Sequence, residues 1–177
     1  AAMRGSVSDM SVPSSATADA SAVGLADRLR TATRRLHAQA ERTGFVKAVL
    51  RQSATLPGYV LFLRNLLPVY AALEAGLRSE AARHGPLSVL AAPDVFRESA
   101  IRADLSVLHG AGWEHDVPVL AGASAYAHLI NESAREDRHG ALAGHAYTRY
   151  LGDLNGGQVL ARMLARGIGV REEGLGF

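Results

Sequence analysis

Apolar residues recur along this chain at helical spacing almost throughout. Leu25, Leu29, Leu36 and Ala40 are separated by four, seven and four positions, which is one stripe of a helix over about 25–43. Gly44 follows as a stop signal, and a short helix is expected over 45–51. Thr55-Leu-Pro-Gly has the form of a helix start. A long apolar helix is expected over 59–83, kinked at Pro68 and closed by His84-Gly85-Pro86. Phe96, Ile101, Leu105 and Leu108 outline a further helix ended by Gly110 and Gly112. Residues 124–134 form a shorter one, and 141–166 the last long one. No stretch of note alternates with the period of a strand, and there is no internal repeat or heptad run. The pattern predicts an all-α, single-domain fold. Residues 1–20 are mostly small and polar and contain no apolar run, so they are read as a disordered tail preceding a domain over 21–177.

Composition narrows the chemistry. An apolar share of 48% over 177 residues is enough for one real core. The absence of cysteine excludes disulfides, thiolate-held zinc, iron–sulfur clusters, thiolate-ligated haem and a cysteine nucleophile. It fits a reducing compartment, and the expected location is cytoplasmic. Charge is nearly balanced, 19 basic against 17 acidic residues, with the arginines interleaved among acids. No basic stripe with intervening aromatics suggests nucleic acid. The densest apolar run, Leu66 to Leu73, is interrupted by Pro68 and falls short of the ~18 residues a membrane-crossing helix needs. Neither nucleic acid nor a membrane is expected as a partner.

Two segments depart from an ordinary helical domain. Gly152, Gly156 and Gly157 fall inside the last helical pattern, which resumes with Val159, Leu160, Met163 and Leu164. Each glycine costs up to ~1 kcal/mol relative to alanine in a helix. Two accounts offset that cost: close approach of another helix, since Gly152 and Gly156 are four apart, or a broad planar ligand lying on exposed main chain in a kink. Asp153 sits among these glycines, four residues after Arg149. The two can pair along one face, either as a surface ion pair or as a carboxylate aimed into a pocket and held by Arg149 and a tyrosine, where it would organise water for proton delivery. Tyr147 and Tyr150 add aromatic surface with polar tips.

The second segment lies in the first helix. Thr33, His37 and Glu41 form a row at i, i+4 and i+8 beside the apolar stripe. A lone helical histidine is most often structural or at the surface. Here Glu41 stands one turn on, where it would accept the second ring N–H of a metal-binding imidazole. Arg30 and Arg34 precede His37 on the same helix, placed either as a solvated face or to meet carboxylates at a ligand's edge. His109, His115 and Asp116 read as loop residues. No Glu-x-x-His pair supports a di-iron bundle, and His145 is the rival axial ligand.

Together these residues resemble a known family. The segment from Leu29 through Thr33 and His37 to Glu41 resembles the proximal helix of haem oxygenases. Residues 146–158, Ala-Tyr-Thr-Arg-Tyr-Leu-Gly-Asp-Leu-Asn-Gly-Gly-Gln, closely resemble their distal helix, with Asn155 where the family commonly has serine. Tyr70-Ala-Ala-Leu-Glu74 and Gly174-Leu-Gly-Phe177 resemble two further segments. The resemblance implies an all-α fold holding haem between a proximal and a kinked distal helix. It implies His37 as the axial iron ligand, Glu41 as its second-shell acceptor, and Arg30 as a propionate contact. Tyr147 becomes a haem-edge contact and Gly152, Gly156 and Gly157 the backbone over the haem face. Asp153 becomes the carboxylate that orders distal water, with Arg149 and Tyr70 in its network. The implied reaction converts haem and O2 to biliverdin, carbon monoxide and ferrous iron, with electrons from a reductase or ferredoxin. A non-catalytic haem-binding module for storage, sensing or transfer uses the same residues. The family's helices beyond the distal segment are missing from 177 residues, and a fragment with weak haem binding is the corresponding alternative.

Overall fold

The computed structural model describes residues 24–177, and the expected tail over residues 1–20 lies outside them. All regular structure among the described residues is helical. By its internal contacts the chain divides into a unit ending at Ala38 and a unit spanning Gln39–Phe177. In the first, the described structure is most of helix α1 (Leu25–Glu41). Its apolar stripe is only partly covered: Leu29 is half-buried and Leu36 is 60% exposed.

The second unit is built around α3 (Leu56–Ala82), preceded by α2 (Gly44–Leu50). The start of α3 lies where its sequence signals it. Thr55 is the N-cap, its hydroxyl accepts the Gly58 N–H at 3.2 Å, and Pro57 occupies the first turn. Leu63, Tyr70, Leu73 and Leu77 on α3 are fully buried. The helix runs without a break through Pro68. By length and composition α3 is long and apolar enough to cross a membrane, contrary to the sequence reading, but 61% of its most apolar window is buried inside the protein. That burial is the property of a core helix.

Against α3 pack α4 (Glu98–His109) and α6 (Ala121–Arg135). Buried Glu74, one turn after Tyr70, accepts the backbone N–H groups of Arg97 at 2.6 Å and Glu98 at 2.9 Å. It thereby satisfies two donors at the start of α4 that no local side chain caps. Gly110 ends α4 at φ +94°, a conformation that only glycine adopts cheaply. His115 and Asp116, expected in a loop, lie in the single-turn helix α5 (Trp113–Asp116), and His109 is the last residue of α4. The Asp116 carboxylate meets the His109 ring at 3.2 Å across the intervening glycines. Helix α6 begins a turn earlier than its sequence suggests. Asn65 of α3 accepts the Leu120 N–H at 2.7 Å and donates to the Pro118 carbonyl at 3.3 Å, so a tertiary contact sets the start.

The last long helical region has three parts: α7 (His139–Gly152), a π-helical turn (Asp153–Gly157) and α8 (Gln158–Ile168). The kink expected from the glycines takes the form of this wider turn, whose i→i+5 bonding is uncommon and weaker than α-helical bonding.

Candidate functional site

The centre of the site is a chain of three side chains brought together from α3, α7 and the π-helical turn. Tyr70 is fully buried. Its hydroxyl donates a hydrogen bond to Asp153 Oδ2. The same hydroxyl oxygen accepts from Arg149 Nε at 3.2 Å and Nη2 at 2.9 Å. Arg149 also stands over the Tyr70 ring, 5.1 Å from its centroid. Its direct ion pair with Asp153 is looser, at 3.8 Å. The four-residue spacing of Arg149 and Asp153 therefore does bring them onto one face, but the tyrosine from a remote helix joins them.

Burial sets the titration of this group. It raises the Asp153 carboxyl above its ordinary value of 3.8, opposed by the Tyr70 hydrogen bond and by the Arg149 and Arg97 charges. Burial likewise raises the Tyr70 phenol, so its proton is firmly held. Burial works against the Arg149 charge, but Tyr70 and Asp153 outweigh it and hold its pKa above the usual arginine value. The arrangement is an arginine cation, a neutral phenol and a carboxyl group whose ionisation burial opposes and its donors favour.

Three aromatic neighbours frame Tyr70 and its partners. The Tyr150 ring lies 6.2 Å from that of Tyr70, and its hydroxyl is buried without a hydrogen-bond partner among the described residues. Phe177 meets the Tyr70 ring edge-on at 5.6 Å. Tyr126 of α6 pairs with His145 Nδ1 at 3.1 Å and feels the Arg149 charge. Sequence reasoning named Tyr150 only as aromatic surface with a polar tip and treated His145 only as a rival ligand; it missed Tyr126 altogether. Burial lowers the His145 pKa, followed by the charge of Arg138, so its ring is kept neutral. The Tyr126 contact arises only when α6 and α7 pack, so no spacing along the chain announces it.

The glycines beside Asp153 distinguish between the two accounts of their cost. A Cβ built on Gly152, Gly156 or Gly157 would meet nothing within 4 Å among the described residues. No helix among the described residues packs closely against them. They leave main chain uncovered, next to Leu151, Leu154 and Val159, which are 40%, 55% and 48% exposed. Bare backbone flanked by uncovered apolar side chains fits a broad apolar ligand with polar groups at its rim. Tyr147 on α7 is half-buried.

On α1, His37 and Glu41 lie one turn apart, as their spacing predicts, and His37 is exposed beside exposed Leu36. Arg30 is paired with Asp27 at 2.6 Å on the solvent side, and Arg34 is exposed. Two concavities in the second unit lie elsewhere. One, about 220 Å³, is lined by Val49, Met163, Leu164 and Ile168. The other, about 380 Å³, is lined by Arg64, Pro68, Arg102 and Trp113. Neither includes Tyr70, Arg149 or Asp153.

Comparison with known proteins points in one direction. The sequence model of the family described as Heme oxygenase matches residues 23–177. The chain is 33% identical over 155 residues to Heme oxygenase 1 of the cyanobacterium Synechocystis, covering 88% of this chain and 64% of that one. It is 31% identical over 155 residues to Heme oxygenase 1 of Homo sapiens, covering 86% and 53%. The crystal structure of the Synechocystis heme oxygenase-1 in complex with heme superposes with a TM-score of 0.79 at 32% identity, over 87% of this chain and 69% of that one. Heme oxygenase from Leptospira interrogans gives 0.77 at 28% identity, over 88% and 75%. This chain spans 64% of the Synechocystis relative and about half of the human one. It belongs to the haem oxygenase family.

Proposed function

We propose that this family member is a haem oxygenase, an oxidoreductase that opens haem to biliverdin with release of carbon monoxide and ferrous iron. The observation that carries the proposal is the uncovered glycine backbone of residues 152–157 set directly beside the Asp153–Tyr70–Arg149 chain. A flat ligand needs such a backbone, and chemistry on that ligand needs a placed carboxylate. When bound, haem would supply both the redox iron that activates O2 and the porphyrin that is opened. The protein's part is to hold it and to control protons.

In this reading His37 would ligate the iron through one ring nitrogen, and Glu41 would accept the other ring N–H, which would fix the tautomer. Arg30 and Arg34 meet the propionates as charge-assisted donors; Arg30 would exchange its exposed Asp27 partner, an ion pair worth little in water. Tyr147 would contact the haem edge. Gly152, Gly156 and Gly157 would let main chain lie against the ring face. A bulkier side chain there would fill the space that the ligand needs. Asp153 orders water at the reacting side and passes protons from it. Tyr70 and Arg149 keep that carboxylate in one orientation. Electrons come from a separate reductase or ferredoxin, in a cytoplasmic setting that suits a protein without thiols. The domain that does this spans residues 21–177.

Hemin, a reductant system and air test the proposal. A Soret band that decays to biliverdin is expected; a stable Soret band makes the chain a haem-binding module, and no Soret band removes haem altogether. Asp153→Ala is expected to retain the Soret band and lose biliverdin formation. Unchanged turnover in that variant would remove Asp153 from the mechanism.

A further inference from the structure

A buried carboxylate outside the network just described is wired to it through the chain's last residues. Asp104 on α4 is 1% exposed. Its hydrogen-bond partners among the described residues are two backbone amides: Oδ1 accepts the Gly176 N–H and Oδ2 the Phe177 N–H, both at 2.9 Å. These amides belong to a segment more than 70 positions away in sequence. The segment lies hard against α4. A Cβ at position 176 would come within 3.0 Å of Asp104 Oδ1, and one at position 174 within 3.1 Å of Leu108 Cγ. The two glycines permit this approach. Phe177, held at its own amide by Asp104, places its ring edge-on against Tyr70 at 5.6 Å.

A carboxylate in such a place needs a reason. Burial raises the Asp104 carboxyl above its ordinary value, and the Phe177 and Gly176 amides work against that rise. An apolar residue would fill the volume without the desolvation cost. A carboxylate does what an apolar residue cannot: it accepts from two consecutive amides at once and so fixes both the position and the orientation of the following side chain. An asparagine would accept one of the two and face the other with a donor. The side chain so fixed packs edge-on against the Tyr70 ring, and Tyr70 carries the hydroxyl that holds Asp153.

We infer that Asp104 is a positioning residue for the Tyr70–Asp153 pair, acting as a latch that holds Phe177 against the Tyr70 ring. The contact stands on geometry alone, while its effect on turnover rests on the haem-cleaving function proposed above. A purely structural staple would change stability and leave the Tyr70 hydroxyl where it is.

The test uses the full chain with tyrosines labelled by carbon-13 at Cζ, in the absence of haem, with Tyr70→Phe identifying the Tyr70 line. That line is expected to shift in Asp104→Asn and in Phe177→Leu. In the double variant it is expected to fall where Phe177→Leu alone puts it, because the latch has nothing left to hold. With hemin and reductant, kcat is expected to fall about tenfold in each single variant and no further in the double, with haem Kd changed less than about twofold, as for a misplaced group that does not itself bind ligand. A Tyr70 line at its original position in either single variant overturns the inference, as does a double variant whose shift is the sum of the singles. Should Asp104→Asn fail to fold, Asp104→Glu, which keeps the carboxylate and displaces both amide contacts, decides by the same line. A wild-type chain that binds no haem would defeat the proposed function but leave the carbon-13 result to decide the latch.

Discussion

Tyr70→Phe isolates a single hydroxyl. The ring stays, so its packing with Tyr150 and Phe177 and the stacking of Arg149 above it are kept. Asp153 Oδ2 loses the hydrogen bond from Tyr70, and Arg149 loses an acceptor for Nε and Nη2. What remains between Arg149 and Asp153 is the ion pair at 3.8 Å. A hydrogen bond to a largely buried ionised acceptor contributes about 1.5–3 kcal/mol, and one to a neutral acceptor about 0.5–1.5 kcal/mol. The expected loss is therefore about 2 kcal/mol with Asp153 ionised and about 1 kcal/mol with it protonated. For a chain of this size that is a fall in Tm of roughly 4–8 °C and roughly half that, respectively.

The pH dependence has a definite sign. Burial lifts the folded-state pKa of Asp153 above its ordinary 3.8. Between those two values the folded chain keeps a proton that the unfolded chain releases, so the stability linked to Asp153 is full below the ordinary value and falls as pH rises through the folded one. Tyr70 opposes that fall by favouring the carboxylate. Without the hydroxyl the folded pKa rises further and the variant loses more than the parent across the same window. Thermal melts of both haem-free proteins, from the acid side of the carboxylate range to neutrality, should show a Tm gap that widens with pH and then levels. A gap that stays constant or narrows would refute a donor relation between Tyr70 and the ionised carboxylate.

Other perturbations address the remaining parts of the site. Gly156→Ala should leave the haem-free protein as stable or more stable by up to ~1 kcal/mol, since its Cβ meets nothing, yet weaken haem binding in a Soret titration; unchanged binding would show that no ligand lies on this backbone. His37→Ala should lose the six-coordinate haem spectrum while His145→Ala keeps it, and the reverse result would transfer the ligand role to α7. Glu74→Ala should cost about 3 kcal/mol in urea unfolding, because it leaves two part-buried amides at the start of α4 and the Arg78 contact unanswered. A loss under about 1 kcal/mol would mean that water replaces the carboxylate there.

What the sequence could disclose follows from the range of each interaction. Thr55, Pro57 and Gly110 act on their own neighbours, so the ends of α3 and α4 could be read from the residues present. The start of α6 depends on Asn65, more than 50 residues upstream, and could not. The last helical pattern was legible as glycine-bearing and bent, but its resolution into a π-helical turn depends on which carbonyls find donors. In the site, Arg149 and Asp153 share a face by spacing, and Tyr70 entered only through a resemblance between short segments. Nothing local marks Tyr126, whose partners come from the packing of α6 on α7. Nothing in the sequence marks Asp104, whose burial and contacts with Gly176 and Phe177 come from packing.

The order of donors in the Arg149–Tyr70–Asp153 chain has a consequence for traffic through it. Arginine does not surrender its proton near neutrality, and here its neighbours hold it more tightly still. The phenol, in turn, cannot pass its proton to Asp153 and be refilled from behind. The chain is a proton wire with a blocked end: it can polarise and aim the carboxylate, but it cannot feed it. In the proposed reaction any proton that Asp153 passes on would therefore reach it from a side other than Arg149, and the open backbone of Gly152 and Gly156 beside it is such a side.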